Sequence, residues 1–302
     1  MQDCQAQRMQ DCQAQRMQDC QRQRMQDCLP RMIHPDIIAL VQRALEEDIG
    51  SGDITTNLCV PADRMATARM IARQPMAVAG IEVLPLIFSN CQVAINQPAG
   101  TCVDANACLA TIHGTARALL TGERTALNFV QRLSGVATLA HAYVQEVQGT
   151  KCRILDTRKT TPGLRRLEKM AAAAGGATNH RQGLYDAVLI KNNHITAAGG
   201  VRAALEATKG STAFVEIEIR TRAELDEALA WGAKHLLLDN LSPSDAREWI
   251  EYIAGRASVE LSGGITLETV RAYAEAGADF VSCGAITHSA KAMDINLRLQ
   301  LV

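Results

Sequence analysis

The stretch Asp156–His194, DTRKTTPGLRRLEKMAAAAGGATNHRQGLYDAVLIKNNH, carries seven Lys or Arg against three Asp or Glu, in a chain whose formal net charge is only −1. Its cations stand at the ends of apolar runs. Thr157, Arg158 and Lys159 come just after Ile154-Leu155, and Lys191 follows Ala187-Val188-Leu189-Ile190. Asn179, His180 and Arg181 follow the pair Gly175-Gly176. An apolar run closed by a cation reads as a strand delivering a charged side chain to one edge of a sheet. Two like charges about 4 Å apart repel by about 1 kcal/mol in water, and by about 4 kcal/mol at an effective dielectric near 20. Convergent cations therefore call for an anion that neutralises them. The plain alternative is a basic surface patch with no ligand.

From Cys152 onward the pattern is regular. Strand candidates lie at 153–156, 187–190, 214–219, 235–238, 258–261 and 279–283, and helical patterns at 164–173, 201–208, 222–231, 243–254 and 266–276. Alternation of this kind means parallel pairing, in a doubly wound sheet or a closed barrel. In a barrel, function gathers at the C-terminal ends of several strands. Here those ends read Thr157-Arg158-Lys159, Lys191, Glu218, Asp239-Asn240, Ser262-Gly263-Gly264 and Gly284-Ala285. Each is polar or small, and the types differ from strand to strand. The fold class is thus α/β. Six strands, with a short seventh expected at Ala177–His180, fall short of the usual eight, so the barrel is incomplete.

The rim has two characters. Arg158, Lys159 and Lys191, with His180 and Arg181, make a cationic half, and arginine suits bidentate capture of carboxylate or phosphate. Glu218 and Asp239 face them. Two separated carboxylates beside a cationic site suit Mg²⁺, which takes one or two carboxylates plus substrate phosphates; simple salt-bridging to the nearby lysines is the alternative. Small residues at Ser262-Gly263-Gly264 and Gly284-Ala285 let backbone N–H groups approach a phosphate. His180 reads as a base, a donor to substrate, or a core histidine, whereas His113, His194 and His235 read as structural. Lys159 or Lys191 as a Schiff-base lysine leaves a class I aldolase open.

Before this region the chain is less regular. Pro35 opens a helix whose Ile37, Leu40, Val41, Ala44 and Leu45 form an apolar stripe. Gly50–Thr56 reads as a loop. Short apolar runs at Ala66–Ala72, Ala77–Gly80, Val93–Ile95 and Ala107–His113 indicate an α+β domain. A helical region follows from Ala116 to Val147, with Gly135 expected to break it. Residues 1–28 are a tandem octapeptide, MQDCQAQR twice, then MQDCQRQR and MQDC. An eight-residue period turns the pattern by about 80° per repeat, so no apolar stripe forms. The expectation is a disordered polar extension over 1–32 rather than a metal site on Cys4, Cys12, Cys20 and Cys28. The remaining six cysteines show no ligand spacing and read as reduced thiols of a cytoplasmic protein. At 302 residues and 47% apolar the core is ample. Near-neutral charge and 3% aromatics argue against nucleic acid, and no apolar run is long enough for a membrane span.

Several stretches closely resemble the quinolinate phosphoribosyltransferase family: EEDIGSGDITT (46–56), GERTALNFVQRLSGVAT (122–138), DTRKTTPG (156–163), GGATNHRQG (175–183), LIKNNHI (189–195), VEIEI (215–219), LLLDNL (236–241), Ser262–Gly264 and CGAITHS (283–289). The resemblance implies transfer of the phosphoribosyl group of PRPP to quinolinate with decarboxylation, in NAD synthesis. It implies that Arg158, His180, Arg181 and Lys191 hold the quinolinate carboxylates. Arg124 would join them from a neighbouring subunit, in a homodimer with shared sites or a hexamer of such dimers. Thr157, Lys159, Glu218 and Asp239 would face PRPP and its Mg²⁺, with Lys159, Glu218 and Asp239 in catalytic roles. Ser262, Gly263, Gly264, Gly284 and Ala285 would cradle the 5′-phosphate. The implied architecture is an N-terminal α/β sandwich (33–148, rejoined by 290–302) followed by an incomplete α/β barrel (149–289). Two positions depart from the family pattern: Arg220 after VEIEI, expected to make the rim near Glu218 more positive, and Asn193, where Asp is commoner. The rivals are a paralogue with another acceptor base, the aldolase, and a sugar-phosphate-binding module without turnover.

Overall fold

The structure, a computed structural model, describes residues 33–302. The octapeptide repeat and its four cysteines lie outside these residues. Val41–Val302 forms one compact unit. Helix α1 covers Pro35–Ile49, as its stripe requires. The expected loop at Gly50–Thr56 is shorter than the sequence suggests, because α2 (Ile54–Cys59) starts inside it. Asp53 caps that helix, its side chain accepting from the Thr56 N–H at 2.9 Å.

The first half of that unit contains β1 (Met65–Ala72), β2 (Met76–Ala77), α3 (Leu84–Ile87), β3 (Gln92–Ile95), β4 (Cys102–Val103) and β5 (Cys108–Thr115). The expected strand at Ala77–Gly80 is confined to β2, since Gly80 turns the chain at φ 75°. Helix α4 runs unbroken from Ala116 to Glu146, so Gly135 does not interrupt it. The glycine is there for packing. A Cβ at 135 would collide with the carbonyl oxygen of Lys291, so the missing side chain admits the segment returning from the C-terminus.

Next come β6 (Arg153–Leu155), α5 (Arg165–Ala174), β7 (Val188–Ile190), α6 (Asn192–Ala198), α7 (Val201–Ala207), β8 (Val215–Ile219), α8 (Arg222–Ala230), β9 (His235–Asp239), α9 (Pro243–Ile253), β10 (Ser258–Ser262), α10 (Val270–Glu275), β11 (Phe280–Ser282), α11 (Ala285–His288) and β12 (Ile295–Leu301). Helix α6 was not expected, and the helix expected at 266–276 is confined to α10.

Two main sheets result. One is antiparallel, in the order β12-β1-β5-β3, so the C-terminal strand returns to pair with β1 along its length. The other is parallel, in the order β6-β11-β10-β9-β8-β7. Its two edge strands are the first and second of the series, as in a barrel left open at one seam. The expected seventh strand at Ala177–His180 amounts to a single parallel bridge, Leu155 to Thr178, at that seam. Helix α4 packs on the antiparallel sheet and on α5, with Ala126, Val130, Val136, Ala137 and Ala140 wholly buried. Among the described residues, no helix is long and apolar enough to cross a membrane, and the six cysteines are free thiols.

Candidate active site

The pleat of the parallel sheet sets the site in layers. Register places Glu218, Leu237 and Glu260 in one row across β8, β9 and β10. Asp239 and Ser262 form the next row toward the C-terminal ends. Because side chains alternate along a strand, Glu216 points to the same side as Glu218, one layer deeper. Above these rows opens a cavity of about 670 Å³. Its lining includes every rim residue singled out in the sequence except Arg124: Thr157, Arg158, Lys159, His180, Arg181 and Lys191 on one part of the wall, and Glu218, Asp239, Ser262, Gly263, Gly264, Gly284 and Ala285 on the other. Asn240, named with Asp239 at its strand end but given no role there, and His288, which the sequence did not single out, also line it.

The cationic wall is built over buried carboxylates. Asp156, fully buried at the end of β6, accepts from the Nζ of the equally buried Lys169 of α5. It also accepts from Asn179 Nδ2 at 2.7 Å and from the His180 N–H at 2.8 Å. Lys169 Nζ donates in addition to the His180 carbonyl at 2.8 Å. Burial pushes the Asp156 carboxyl up and the Lys169 ammonium down, against their mutual attraction. A second buried knot holds the TTPG loop: Glu168 accepts from the Thr161 N–H (2.9 Å), Thr161 Oγ1 (2.8 Å) and Arg132 of α4 (2.7 Å). Arg132 also donates to the carbonyls of Ala290 (2.7 Å) and Thr287. Asp156, Glu168 and Lys169 were not picked out in the sequence, because their pairing depends on tertiary contacts alone.

On this scaffold the wall has donors without acceptors. Arg158 Nε is buried and has no hydrogen-bond partner. Arg181 donates to the Ala187 carbonyl at 3.1 Å, and burial, reinforced by the neighbouring Arg158 charge, holds its guanidinium below the ordinary value. Lys191 caps α6; its Nζ is 3.9 Å from Glu218 Oε2, and its N–H donates to His194 Nδ1 at 2.9 Å. His113 bonds Thr67 and His235 bonds Ser258, the structural roles expected of both.

His180 is enclosed. Its Nδ1 accepts the Arg181 N–H at 2.7 Å. Its Nε2 lies 3.3 Å from Glu216 Oε2 and 3.5 Å from Glu260 Oε2. The two glutamates were missed in the sequence. The available signal was charge inside a strand covered on both faces, where parallel sheets are otherwise apolar.

The other wall offers acceptors and backbone. Glu218 receives the Asn192 N–H at 3.4 Å, and Asp239 receives Asn240 Nδ2 at 2.6 Å. Gly263 has φ +104°, and a Cβ there would collide with Asn240. Asn240 itself is held at φ 58°, with its N–H on the Ser262 carbonyl at 2.8 Å. At Gly284 a Cβ would meet Lys159 Cδ at 3.0 Å and the His288 ring at 3.2 Å. The extra positive charge expected from Arg220 is neutralised. Its guanidinium pairs with Glu224 at 3.2 Å, and Arg220 does not line the cavity. Arg124 is exposed on α4 and lies outside the cavity, and its guanidinium has no partner among the described residues.

Comparison with known proteins accords with this arrangement. Residues 53–134 match the family profile described as quinolinate phosphoribosyl transferase, N-terminal domain, and residues 136–298 match its C-terminal domain. The chain is 38% identical over 277 residues to a probable nicotinate-nucleotide pyrophosphorylase (carboxylating) of Bacillus subtilis, covering 89% of this chain and 96% of that one. It is 38% identical over 294 residues to a quinolinate phosphoribosyltransferase (decarboxylating) of Nicotiana tabacum, covering 88% of this chain and 83% of the relative. Among solved structures, the nicotinate-nucleotide pyrophosphorylase of Francisella tularensis superimposes with a TM-score of 0.84 at 40% identity, over 88% of this chain and 98% of that one.

Proposed function

The chain belongs to the quinolinate phosphoribosyltransferase family, and from that membership we propose how its rim carries the reaction. It is a pentosyltransferase of NAD biosynthesis. The phosphoribosyl group of PRPP passes to the ring nitrogen of quinolinate, giving nicotinate mononucleotide, pyrophosphate and CO2. The aldolase alternative falls with this assignment.

The cationic wall takes the two quinolinate carboxylates, through Arg158, Arg181 and Lys191, with His180 in the same wall. One observation carries this reading: the buried Arg158 Nε without an acceptor. An unsatisfied buried donor costs about 1–3 kcal/mol, and a substrate carboxylate supplies what it lacks. Arg124, exposed and unpartnered among the described residues, serves the site of a second copy, so the working unit is a homodimer with shared sites.

Thr157, Lys159, Glu218 and Asp239 face PRPP. Glu218 and Asp239 are hard oxygen donors in one cavity, a set that suits Mg²⁺ held directly or through water. Bound there, the ion would supply charge neutralisation for the pyrophosphate. Ser262, Gly263, Gly264, Gly284 and Ala285 present backbone N–H groups to the 5′-phosphate, where a Cβ at Gly263 would collide with Asn240 and one at Gly284 would press on Lys159 and His288.

Fixing both carboxylates aims the ring nitrogen at the anomeric carbon and removes orientational freedom from the encounter. As the bond to pyrophosphate breaks, negative charge grows on the leaving group, and Lys159 stabilises it where it develops. The quaternised ring then accepts the electron pair of the adjacent carbon–carboxylate bond. CO2 departs and a proton takes its place. Arg181→Ala tests the division of the rim. Loss of a charged hydrogen bond costs about 1.5–3 kcal/mol, so calorimetry is expected to show quinolinate weakened about tenfold or more, with PRPP changed by less than about twofold. Equal losses for the two ligands would contradict it.

A further inference from the structure

Beneath the cationic wall lies a group for which the reaction gives no reason. Glu216 and Glu260 are both buried inside the parallel sheet, where a carboxylate is expensive unless it is paired. Neither touches a lysine or arginine among the described residues; what they share is His180. The Glu260 Oε1 is buried and has no hydrogen-bond partner at all. Glu260 also lines the cavity, and two carboxylates this close to one imidazole favour a proton on one of them, because like charges at short range disfavour double ionisation. Burial, with the adjacent Glu216 charge, pushes the Glu260 carboxyl up to about 8, against the opposing influence of His180 and Ser282.

The imidazole ties this pair to the rim. For His180 alone, burial pushes the pKa down, while the hydrogen bond to Glu216 and the charges of Glu260 and Glu216 push harder, leaving it above the ordinary value. Charge alone would thus favour the imidazolium. The local geometry opposes it, because the Arg181 N–H at 2.7 Å occupies the Nδ1 lone pair, and a second ring proton would have to displace that bond. The ring proton therefore sits on Nε2, between the two carboxylates. The same ring fixes the backbone at Arg181, whose guanidinium lines the cavity. The other fixed points of this turn are Asp156 and Lys169, which hold the His180 N–H and carbonyl.

We infer that Glu216 and Glu260 are positioning residues: they hold His180 as the Nε2–H tautomer, and the ring in turn fastens Arg181 in the place from which it meets a substrate carboxylate. This deepens the proposed function and rests on its assignment of Arg181 to quinolinate. The three side chains also offer one nitrogen and two oxygens within 4.8 Å of one another, a spacing a divalent cation can use. That reading fails on the imidazole. A metal would need the Nε2 lone pair, whereas an Nδ1 that accepts an N–H leaves the proton on Nε2.

The test uses the full chain and two independent readouts. Nitrogen-15 spectra of histidine-labelled protein report the tautomer, with the His180 signal identified by its absence in His180→Asn. The expected wild-type signal is a protonated Nε2 and an accepting Nδ1; an Nδ1–H tautomer or a doubly protonated ring would overturn the proposal, whether or not quinolinate is the substrate. Calorimetry then measures quinolinate and PRPP separately. Glu260→Leu is expected to weaken quinolinate about tenfold, since the Nε2 side of the ring loses the oxygen 3.5 Å away, and PRPP by less than about twofold, with Glu260→Gln close to wild type. Equal weakening of both ligands, or a Gln variant no better than Leu, would overturn the positioning role. Zinc bound by wild type and lost in Glu260→Leu would replace the shared proton by a metal. A wild type that binds no quinolinate would sink the assignment of Arg181, while the tautomer would still decide the state of the cluster.

Discussion

Replacing Lys169 by methionine probes the buried centre on which the cationic wall is built. Lys169 and Asp156 are fully buried and hydrogen-bonded to each other. Removing one partner of such a pair leaves an uncompensated interior charge, a change that costs about 3–5 kcal/mol. Asp156 retains acceptor bonds from Asn179 and the His180 N–H, and burial already pushes its carboxyl up. Protonation is therefore its relief, and the lower end of that range is expected. The surface pair Lys151–Asp279, with Lys151 60% exposed, is the internal control; Lys151→Met should cost at most about 1 kcal/mol. The assay is urea unfolding at neutral pH and fixed protein concentration. Asp156→Asn added to Lys169→Met should recover part of the loss, because the amide is neutral and its oxygen still accepts. A Lys169→Met loss no larger than the Lys151→Met control would refute the reasoning. So would a double variant less stable than Lys169→Met alone.

Two further outcomes follow from the site. Inactive Arg124→Ala and Lys191→Ala proteins, mixed under conditions of subunit exchange, should regain partial activity, since one site in a mixed dimer keeps both residues; no recovery after exchange has been verified would count against the shared site. Glu260 keeps its proton up to about 8 in the folded chain against an ordinary value of 4.5. The folded state thus binds the extra proton between those values, and its stability falls as pH rises through that window. Glu260→Gln removes this slope, so its melting temperature should gain on wild type across the window and level off above it; a gap that does not change with pH would contradict the assignment.

Much of the barrel is legible in the sequence because strands buried on both faces must be apolar, and their ends must not be. Val188–Ile190 and Leu236–Leu238 stand out as apolar runs, and Lys191 and Asp239 mark where each meets the rim. The chemistry of the cavity wall is readable for the same reason. Helix α6 is not, since NNHITAA lacks an apolar period and is held by its cap at Lys191 instead. Gly135 reads as a helix breaker, and only the return of Lys291 against α4 explains why a glycine stands in an intact helix. Glu216 and Glu260 share their strands with Glu218 and Ser262, and in one dimension nothing separates a rim residue from one a layer deeper. The Asp156–Lys169 pair bridges a strand and the next helix, a contact that no local pattern encodes.

As a member of its family, this chain moves a phosphoribosyl group onto quinolinate and releases CO2. Purified protein with PRPP, Mg²⁺ and either quinolinate or nicotinate, followed for pyrophosphate and CO2, tests it directly. The expected result is equimolar release of both products with quinolinate and none with nicotinate. Pyrophosphate released with nicotinate, or no turnover with quinolinate, would contradict it.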